Sequence, residues 1–455
     1  MHDKVHIDTP LSDLFPENGE YSRAVEIMGP AGSLRCTLPV TSLAVGSVAQ
    51  AAASARWLAA TRDQKIELNV DTKAVAESFD SYGSLIINGA PITPWAPLSG
   101  YFAASDGWVR THGNYPHHAS AIESALGATS KSELAAAISK RSALDIESLI
   151  YGHGGCGVAV RTAKEWRELS GSSYDKAPIL RLEHLHDRRP LVPDASKLPL
   201  SGVKILDLTR VIAGPTATRL LGTLGADVLR VDPPQLPELT DQHIDTGFSK
   251  RSALLDFSKA SDRAHLDSLL ASADVLISGY RPGSLDEFGL NPVELSKSYP
   301  DLIVCRVSAW GAHREDHWAT RPGFDSLVQA ATGVADALAT DSDARPGALP
   351  VQALDHSIGY LLAATAMSML ASSQAGTADL ALAGAAHWLL ENPAAPLDMP
   401  TKGNENTAPD VTRATLDSSY GRLGFVPLPL LVGKNERLPY TKPPSMYGAD
   451  LPQWL

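Results

Sequence analysis

Asp355 is the residue of this chain whose sequence surroundings best fit a catalytic side chain. It begins an Ala-, Leu- and Met-rich run, and apart from His356 no acidic or basic side chain follows until Asp379. A run of this kind predicts a buried helix. The N–H groups at a helix start favour a carboxylate, whereas flanking apolar surface desolvates it. The pattern fits an ordinary helix cap as well as a nucleophile, so residues elsewhere must distinguish the two.

A second candidate set consists of four cations in separate loops. Arg210, Lys250, Arg251 and Arg281 adjoin predicted strands. Such a set suits a ligand with dispersed phosphates, although each cation alone would be solvated. No GxGxxG motif follows the first predicted strand, which disfavours a nicotinamide or flavin cofactor.

The remaining reactive side chains have weaker patterns. His112, His117 and His118 cluster near one turn, but their spacing does not mark a zinc site, and we expect solvated or hydrogen-bonded histidines there. Cys156 follows a glycine turn that leads into a strand, and we interpret it as a small buried hydrophobic residue. We predict no metal site.

The elements that must position these residues alternate between strand and helix. Strands are predicted at 202–208, 226–232, 252–257, 275–278 and 302–308, with helices at 215–224 and 259–273. This succession predicts an α/β fold: a mostly parallel, nucleotide-binding-type sheet with helices on both faces, whose ligands bind at the carboxyl ends of the strands.

The rest of the chain divides by composition. A smaller α+β domain is expected at 91–190, with a hairpin turn at Ser105-Asp106-Gly107. The predicted divisions are an extension (1–38), a helix and strand segment (39–90), the small domain (91–190), the large α/β domain (196–375), and a strand and helix with a Pro-rich tail (376–455).

Two segments resemble each other. Pro39-Val-Thr-Ser-Leu-Ala44 matches Pro350-Val-Gln-Ala-Leu-Asp355 at Pro, Val and Leu, and an Ala-rich helix follows each. In this register Ala44 takes the place of Asp355. A chance match between two Ala-rich helices explains the similarity equally well.

Composition limits the class of protein. The net charge of -12 over 455 residues argues against a nucleic-acid surface. The three cysteines lie far apart without a CxxC pair, which indicates a reduced compartment. With no signal peptide and no apolar run long enough to span a membrane, we expect a cytoplasmic protein.

Several blocks in order resemble the class III CoA-transferases (CaiB/BaiF type), a family that includes formyl-CoA and carnitine CoA-transferases and α-methylacyl-CoA racemase. The resemblance covers about 200–372. The similar blocks are Leu200-Ser-Gly-Val-Lys-Ile-Leu-Asp-Leu-Thr-Arg-Val-Ile-Ala-Gly-Pro215, Leu224-Gly-Ala-Asp-Val-Leu-Arg-Val231, Lys250-Arg-Ser-Ala-Leu-Leu-Asp256, Ala273-Asp-Val-Leu-Ile-Ser-Gly-Tyr-Arg-Pro-Gly283 and Arg321-Pro-Gly-Phe-Asp-Ser-Leu-Val-Gln-Ala330.

The resemblance implies a role for each candidate. Asp355 would be a covalent nucleophile that forms a mixed anhydride with an acyl group, and CoA would then pass to a carboxylic acid. Acyl-CoA would be a substrate, with no tightly bound cofactor. The implied CoA contacts are Arg210, Val211, Ala213, Lys250, Arg251, Tyr280 and Arg281, and Gly311 and Phe324 would line the oxyanion or acyl pocket.

Departures from the family pattern leave alternatives open. The small domain precedes the large one here, so the chain resembles a rearranged or partly fused variant, either a homodimer or a monomeric pseudo-dimer. The racemase branch has His where this chain has Phe324, which disfavours proton abstraction there. An acyl-CoA racemase or isomerase and a catalytically silent CoA-binding protein remain alternatives to the CoA-transferase.

Overall fold

The fold was analysed in a computed structural model that describes residues 11–194, 198–340, 345–399 and 411–455. The helices are α1 (Gly19–Arg23), α2 (Val40–Thr61), α3 (Thr72–Ser78), α4 (Pro116–Leu126), α5 (Lys131–Ile138), α6 (Ala143–Gly152), α7 (Ala163–Ser170), α8 (Ala213–Thr223), α9 (Thr240–Thr246), α10 (Ala260–Leu270), α11 (Pro292–Ser298), α12 (Asp325–Thr332), α13 (Val334–Ala337), α14 (Ala353–Ala371) and α15 (Leu382–Glu391).

The strands fall into four sheets. They are β1 (Ile27–Met28), β2 (Leu68–Asp71), β3 (Ile86–Ile87), β4 (Ala90–Pro91), β5 (Gly100–Ala103), β6 (Trp108–Thr111), β7 (Gly157–Ala159), β8 (Leu180–Asp187), β9 (Lys204–Leu208), β10 (Asp227–Asp232), β11 (Arg251–Leu254), β12 (Val275–Ser278), β13 (Ile303–Ser308), β14 (Gln374–Ala381), β15 (Ala414–Ser418), β16 (Gly421–Phe425), β17 (Leu430–Val432) and β18 (Glu436–Arg437).

The largest sheet confirms the predicted α/β class. Its strand order is β11-β10-β9-β12-β13-β14-β8, and every pair is parallel except β14 with β8 at the edge. Helices cover both faces, because one core cluster packs α8 and α14 on the sheet and a second packs α10 and α11 on the other side. The chain order reverses between β9 and β12, the point at which such sheets bind ligands.

The sheet crosses two of the predicted domain boundaries. β8 pairs with β14 although it lies before residue 190, and β14 itself spans the predicted boundary at 375. The strand β8 is therefore part of the large sheet, and the compact small unit is the three-stranded antiparallel sheet β5-β6-β7 with α4, α5 and α6. Its β5–β6 hairpin matches the prediction.

The two ends of the chain meet in the two remaining sheets. β17 pairs with β2, and β16 pairs with β3, so the Pro-rich tail completes sheets begun near the amino end. The residues before 38 were expected to be a surface extension, but Leu11, Phe15 and Leu34 are buried in the main core. Within the predicted division 376–455, residues 400–410 lie outside the described residues, and β15 follows them.

The similar segments form the same structure twice. α2, β2 and α3 follow one another as α14, β14 and α15 do, and α2 packs against α14. Both helices begin with the same tight turn, since Val40 N donates to Leu38 O and Ala353 N donates to Val351 O. The helix starts alone would pair Ser42 with Asp355, but the helix ends, Thr61 and Ala371, give a different offset, so the equivalence of Ala44 with Asp355 stays a prediction.

Across the described ranges, we find no helix with the length and apolar character needed to cross a membrane.

Candidate active site

A cleft lies at the reversal point, on the carboxyl side of the central strands. The open space in the cleft and at its mouth measures about 610 Å³. Its walls come from the loops that follow β9, β12 and β13, from the start of α12 and from the start of α14. Its lining residues include Arg210, Val211, Ala213, Gly214, Gly279, Tyr280, Arg281, Trp310, Arg321, Phe324 and Asp355.

Asp355 reaches this cleft because α14 lies very close to α8. A Cβ on Gly359 would stand 2.6 Å from the carbonyl oxygen of Ala213, so only glycine fits at the contact. Asp355, one turn earlier on the same face, consequently lies over the first residues of α8. Asp355 is only 6% exposed to solvent. Among the described residues, Gln352 at the N-cap of α14 makes no side-chain cap bond, and Asp355 is the acidic residue of the first turn.

A second buried carboxylate adjoins the first. Asp325, the first residue of α12, accepts the backbone N–H of Asp355 through Oδ2 at 3.0 Å and also accepts the side-chain amide of Gln329. Burial, and then the charge of Asp325, raises the pKa of Asp355 well above its usual range. Burial raises the pKa of Asp325 to about 6 while its hydrogen bonds lower it, so Asp325 loses its proton more readily than Asp355 does.

Phe324 stands between the carboxylates and the small unit. Its ring stacks on His112 with centroids 3.7 Å apart. The predicted solvated histidines are therefore wrong for two of the three: His112 and His118 are buried, and their Nδ1 atoms have no hydrogen-bond partner among the described residues. Burial lowers the pKa of His118 to about 3.

The loop after β9 is held in a strained conformation. Val211 has φ of 69°, which is rare for a β-branched residue, and its N–H donates to Glu238 at 3.0 Å. Glu238 also accepts from Arg230 and from the hydroxyl of Tyr115 in the small unit. Sequence reasoning missed Glu238, because its partners lie on three separate elements.

The implied CoA contacts at this edge come together. The Arg210 guanidinium lies 4.9 Å from the ring centroid of Tyr115 and donates to the carbonyl of Pro237 at 2.8 Å. Arg281 is exposed and its guanidinium donates to the carbonyl of Thr320 at 3.3 Å. Tyr280 is half-buried beside it. With Ala213 at the start of α8, these residues surround one entrance to the cleft.

Two other implied contacts lie elsewhere. Lys250 is 2% exposed and donates to Asp207 at 3.2 Å, and Arg251 forms a bidentate ion pair with Asp227. Neither side chain lines the cleft. Arg251 begins β11 and so lies at the amino end of that strand, whereas the Lys250 ammonium is engaged by Asp207, by the carbonyl of Pro215 and by Thr218. Contact of these two residues with phosphates stays a prediction that this arrangement does not support.

Gly311 does not line the cleft either. Its N–H already donates to the Ser308 hydroxyl at 3.2 Å, and a Cβ there would meet that of Ala177 at 2.7 Å. A role in an oxyanion pocket has no geometric support. His356 faces the other way from Asp355 and stacks on Phe79, as expected for adjacent residues on a helix.

Among the described residues, neither the cysteines nor the clustered metal-binding side chains form a second candidate active site. Cys36, Cys156 and Cys305 are free, and Cys156 is buried as predicted. One group, Glu183, His313 and Asp379, has its ligand atoms close together. Arg306 forms an ion pair with Asp379 at 2.6 Å, so the group fits an ion-pair network better than a cation site.

Comparison with known proteins agrees with this geometry. The family described as CoA-transferase family III matches residues 200–415. This segment is similar to CoA-transferase family III. The match includes every strand of the central sheet except β8, together with α12 and α14, so the family segment contains both carboxylates and the cleft loops.

Individual relatives match over similar segments. The chain is 31% identical to a probable fatty acyl-CoA transferase of Mycobacterium tuberculosis over 40% of this chain and 49% of that protein. It is 32% identical to mouse succinyl-CoA:glutarate CoA-transferase over 32% of this chain and 36% of that protein. A crystal structure of the mycobacterial protein, Rv3272, matches with a TM-score of 0.39 at 29% identity, covering 42% of this chain and 57% of that one.

The chain thus covers about half or less of the length of these family III relatives.

Proposed function

We propose that this protein transfers CoA from an acyl-CoA thioester to a carboxylic acid through covalent intermediates on Asp355. The observation that carries the proposal is the carboxylate itself: Asp355 is desolvated and lines a cleft whose entrance carries Arg210 and Arg281. The two relatives named above, each a transferase of CoA or acyl-CoA in its description, support the same reaction class.

The chemistry can be written with its atoms balanced. The ionised Asp355 oxygen attacks the thioester carbonyl, the C–S bond breaks, and an acyl-aspartyl anhydride and CoA thiolate form. The thiolate attacks the aspartyl carbonyl and releases the donor acid, which leaves an aspartyl-CoA thioester. The acceptor carboxylate then displaces CoA thiolate to form a second anhydride. Attack of that thiolate on the acceptor acyl group yields the new thioester and free Asp355.

The cleft residues would divide the binding work. A guanidinium matches phosphate oxygens with paired N–H donors, so Arg210 and Arg281 would hold the phosphates of CoA. Tyr280 provides an aromatic surface beside Arg281 on which an adenine ring could stack. Asp325 would remain ionised next to Asp355 and hold its backbone N–H at the helix start.

The direct test is intact-protein mass spectrometry after incubation with a panel of acyl-CoAs. We expect a mass increase that hydroxylamine removes and that Asp355→Asn abolishes. Asp398→Asn is the matched control, because Asp398 is a buried carboxylate bonded to the start of the equivalent helix α2. Labelling of the Asp398→Asn variant should resemble the wild type. Wild-type protein that binds acyl-CoA but never forms an adduct would establish the catalytically silent alternative.

The racemase alternative has one observation in its favour. His112 stacks on Phe324, so an imidazole lies next to the position that is histidine in racemases. Exchange of deuterium from solvent into the α-carbon of an acyl-CoA, without an acceptor acid, would support this activity. We expect no exchange, because burial and then the charge of Arg110 lower the pKa of His112 well below its usual range.

A further inference from the structure

The loop between β9 and α8 contributes a strained stretch of backbone to the cleft wall. Arg210, Val211 and Ala213 line the cleft, and Val211 adopts a φ of 69°. A β-branched residue is crowded in this left-handed region, so the conformation persists only where surrounding contacts hold it. A residue that maintains this conformation therefore controls the shape of the cleft wall.

The carboxylate of Glu238 holds this loop at two points. The N–H of Val211 donates to Oε2 at 3.0 Å, and Oε1 lies 3.8 Å from the Arg210 guanidinium. Arg210 also donates to the neighbouring carbonyl of Pro237 at 2.8 Å. Neither Pro237 nor Glu238 is among the residues that line the cleft, so both act on it through the loop.

Glu238 is ionised although its side chain is buried. Burial raises the pKa of Glu238, but the charges of Arg230 and then Arg210 outweigh that effect and leave the pKa below its usual range. Arg230 also donates to Oε2 at 3.0 Å. An ionised carboxylate accepts a backbone N–H more strongly than a neutral group does, so Glu238 is suited to offset the strain at Val211.

The same carboxylate connects the cleft loop to the small unit and to the tail. The hydroxyl of Tyr115, just before α4, donates to Glu238, and the Tyr115 ring centroid lies 4.9 Å from the Arg210 guanidinium. The backbone N–H of Glu238 donates to the hydroxyl of Tyr447 at 3.2 Å. The position of Glu238 thus depends on two parts of the chain that lie outside the large sheet.

We propose that Glu238 is a positioning residue for CoA: it holds the 209–213 loop in the conformation that places Arg210 at the cleft entrance, and Tyr115 makes that conformation depend on the docked small unit. Glu238 would not touch the substrate itself. The inference rests on the proposed binding of CoA at this entrance.

The test measures the Kd for CoA by isothermal titration calorimetry. Glu238→Gln keeps the side-chain size but removes the charge that holds Val211 and Arg210, so the Kd should rise about tenfold. Tyr115→Phe removes one hydroxyl and should raise the Kd less. Tyr101→Phe is the matched control and should keep the wild-type Kd, because the Tyr101 hydroxyl, in the same unit, is buried without a hydrogen-bond partner among the described residues.

A second background separates positioning from a merely structural role. Glycine adopts a positive φ without strain, so a loop with Val211→Gly needs Glu238 less. Glu238→Gln should therefore weaken CoA binding by a smaller factor in the Val211→Gly protein than in the wild type. If Glu238→Gln does not fold, Tyr115→Phe in the two backgrounds gives the same comparison. An equal loss in both backgrounds, or variants that bind CoA as the wild type does, would overturn the positioning role.

Binding and acyl transfer give separate readouts. A wild type that binds CoA with this dependence on Glu238 but forms no acyl-enzyme would contradict only the proposed transfer. A wild type that forms the acyl-enzyme, while Glu238→Gln keeps its affinity for CoA, would contradict only the role of Glu238.

Discussion

At the scale of single residues, the chemistry depends on an unequal pair of carboxylates. Asp325 and Asp355 are both buried, but only Asp325 accepts hydrogen bonds from Gln329 and from the Asp355 backbone. Asp325 therefore loses its proton more readily than Asp355 does. An aspartate in this state is less hydrated than one in water and more nucleophilic once ionised.

This pairing predicts a pH dependence for the first chemical step. Only the ionised Asp355 attacks a thioester, and its pKa is raised above the ordinary aspartate value by burial and then by the charge of Asp325. The single-turnover rate of acyl-enzyme formation should consequently increase as pH rises through that raised pKa. Rapid-quench mass spectrometry from pH 4 to pH 8 measures it.

Asp325→Asn is the informative comparison for this profile. It removes the neighbouring charge and keeps the size of the side chain, so the midpoint should move to lower pH. A midpoint near the ordinary aspartate value in the wild type, or no movement in the variant, would contradict the unequal pair.

At the scale of elements, the edge of the sheet decides which cations can bind a ligand. Arg281 follows β12 and lies at the carboxyl edge, whereas Arg251 begins β11 and lies at the amino edge. Side chains from these two edges cannot meet around one ligand, because the length of the strands separates them.

Substitution of each arginine should therefore have a different consequence. Arg281→Ala should raise KM for acyl-CoA about tenfold, the effect of losing one phosphate contact, with little change in stability. Arg251→Ala should cost about 1–3 kcal/mol in the free energy of unfolding, because it removes the ion-pair partner of the partly buried Asp227. Steady-state kinetics and urea titration measure the two effects. If Arg251→Ala instead raised KM for acyl-CoA, that result would support the sequence-based prediction that Arg251 contacts CoA.

The two equivalent helices show how one element can keep its structure and lose its chemistry. Ser42 donates to Asp398 at 2.6 Å and its N–H donates to the same carboxylate, much as the N–H of Asp355 donates to Asp325. The helix start and its acidic partner are kept in both copies. The carboxylate that lines a cleft is present only at Asp355.

At the scale of the whole molecule, the chain is held together by contacts between its two halves. α2 packs on α14, β8 completes the large sheet, and β16 and β17 pair with β3 and β2. These contacts join segments that lie on either side of residues 195–197. Whether two chains associate further stays a prediction.

Separating the halves tests this arrangement. Residues 1–194 and 198–455, co-expressed as two chains with a tag on one, should copurify, because each half buries apolar surface of the other. Ser54→Trp is the control, since Ser54 Oγ lies 3.0 Å from Ser368 Oγ between α2 and α14. Its bulk should prevent copurification. A 198–455 fragment that is monodisperse by itself, with a melting temperature like that of the intact chain, would show that the contacts contribute little.

The sequence alone determined the features that depend on neighbouring residues. The strand and helix succession, the β5–β6 hairpin, the buried helix after Asp355 and the cleft loops at Arg210 and Tyr280 all agree with the structure. Such features arise from local periodicity and turn chemistry, and the order of strands then determines which loops share an edge.

Only the tertiary structure decided which distant side chains become partners. It buried Lys250 against Asp207 and brought His112 onto Phe324. The physical reason is that a charge in a sequence is the same whether it is later paired, solvated or buried alone. Its role depends on the packing of elements that lie far apart along the chain.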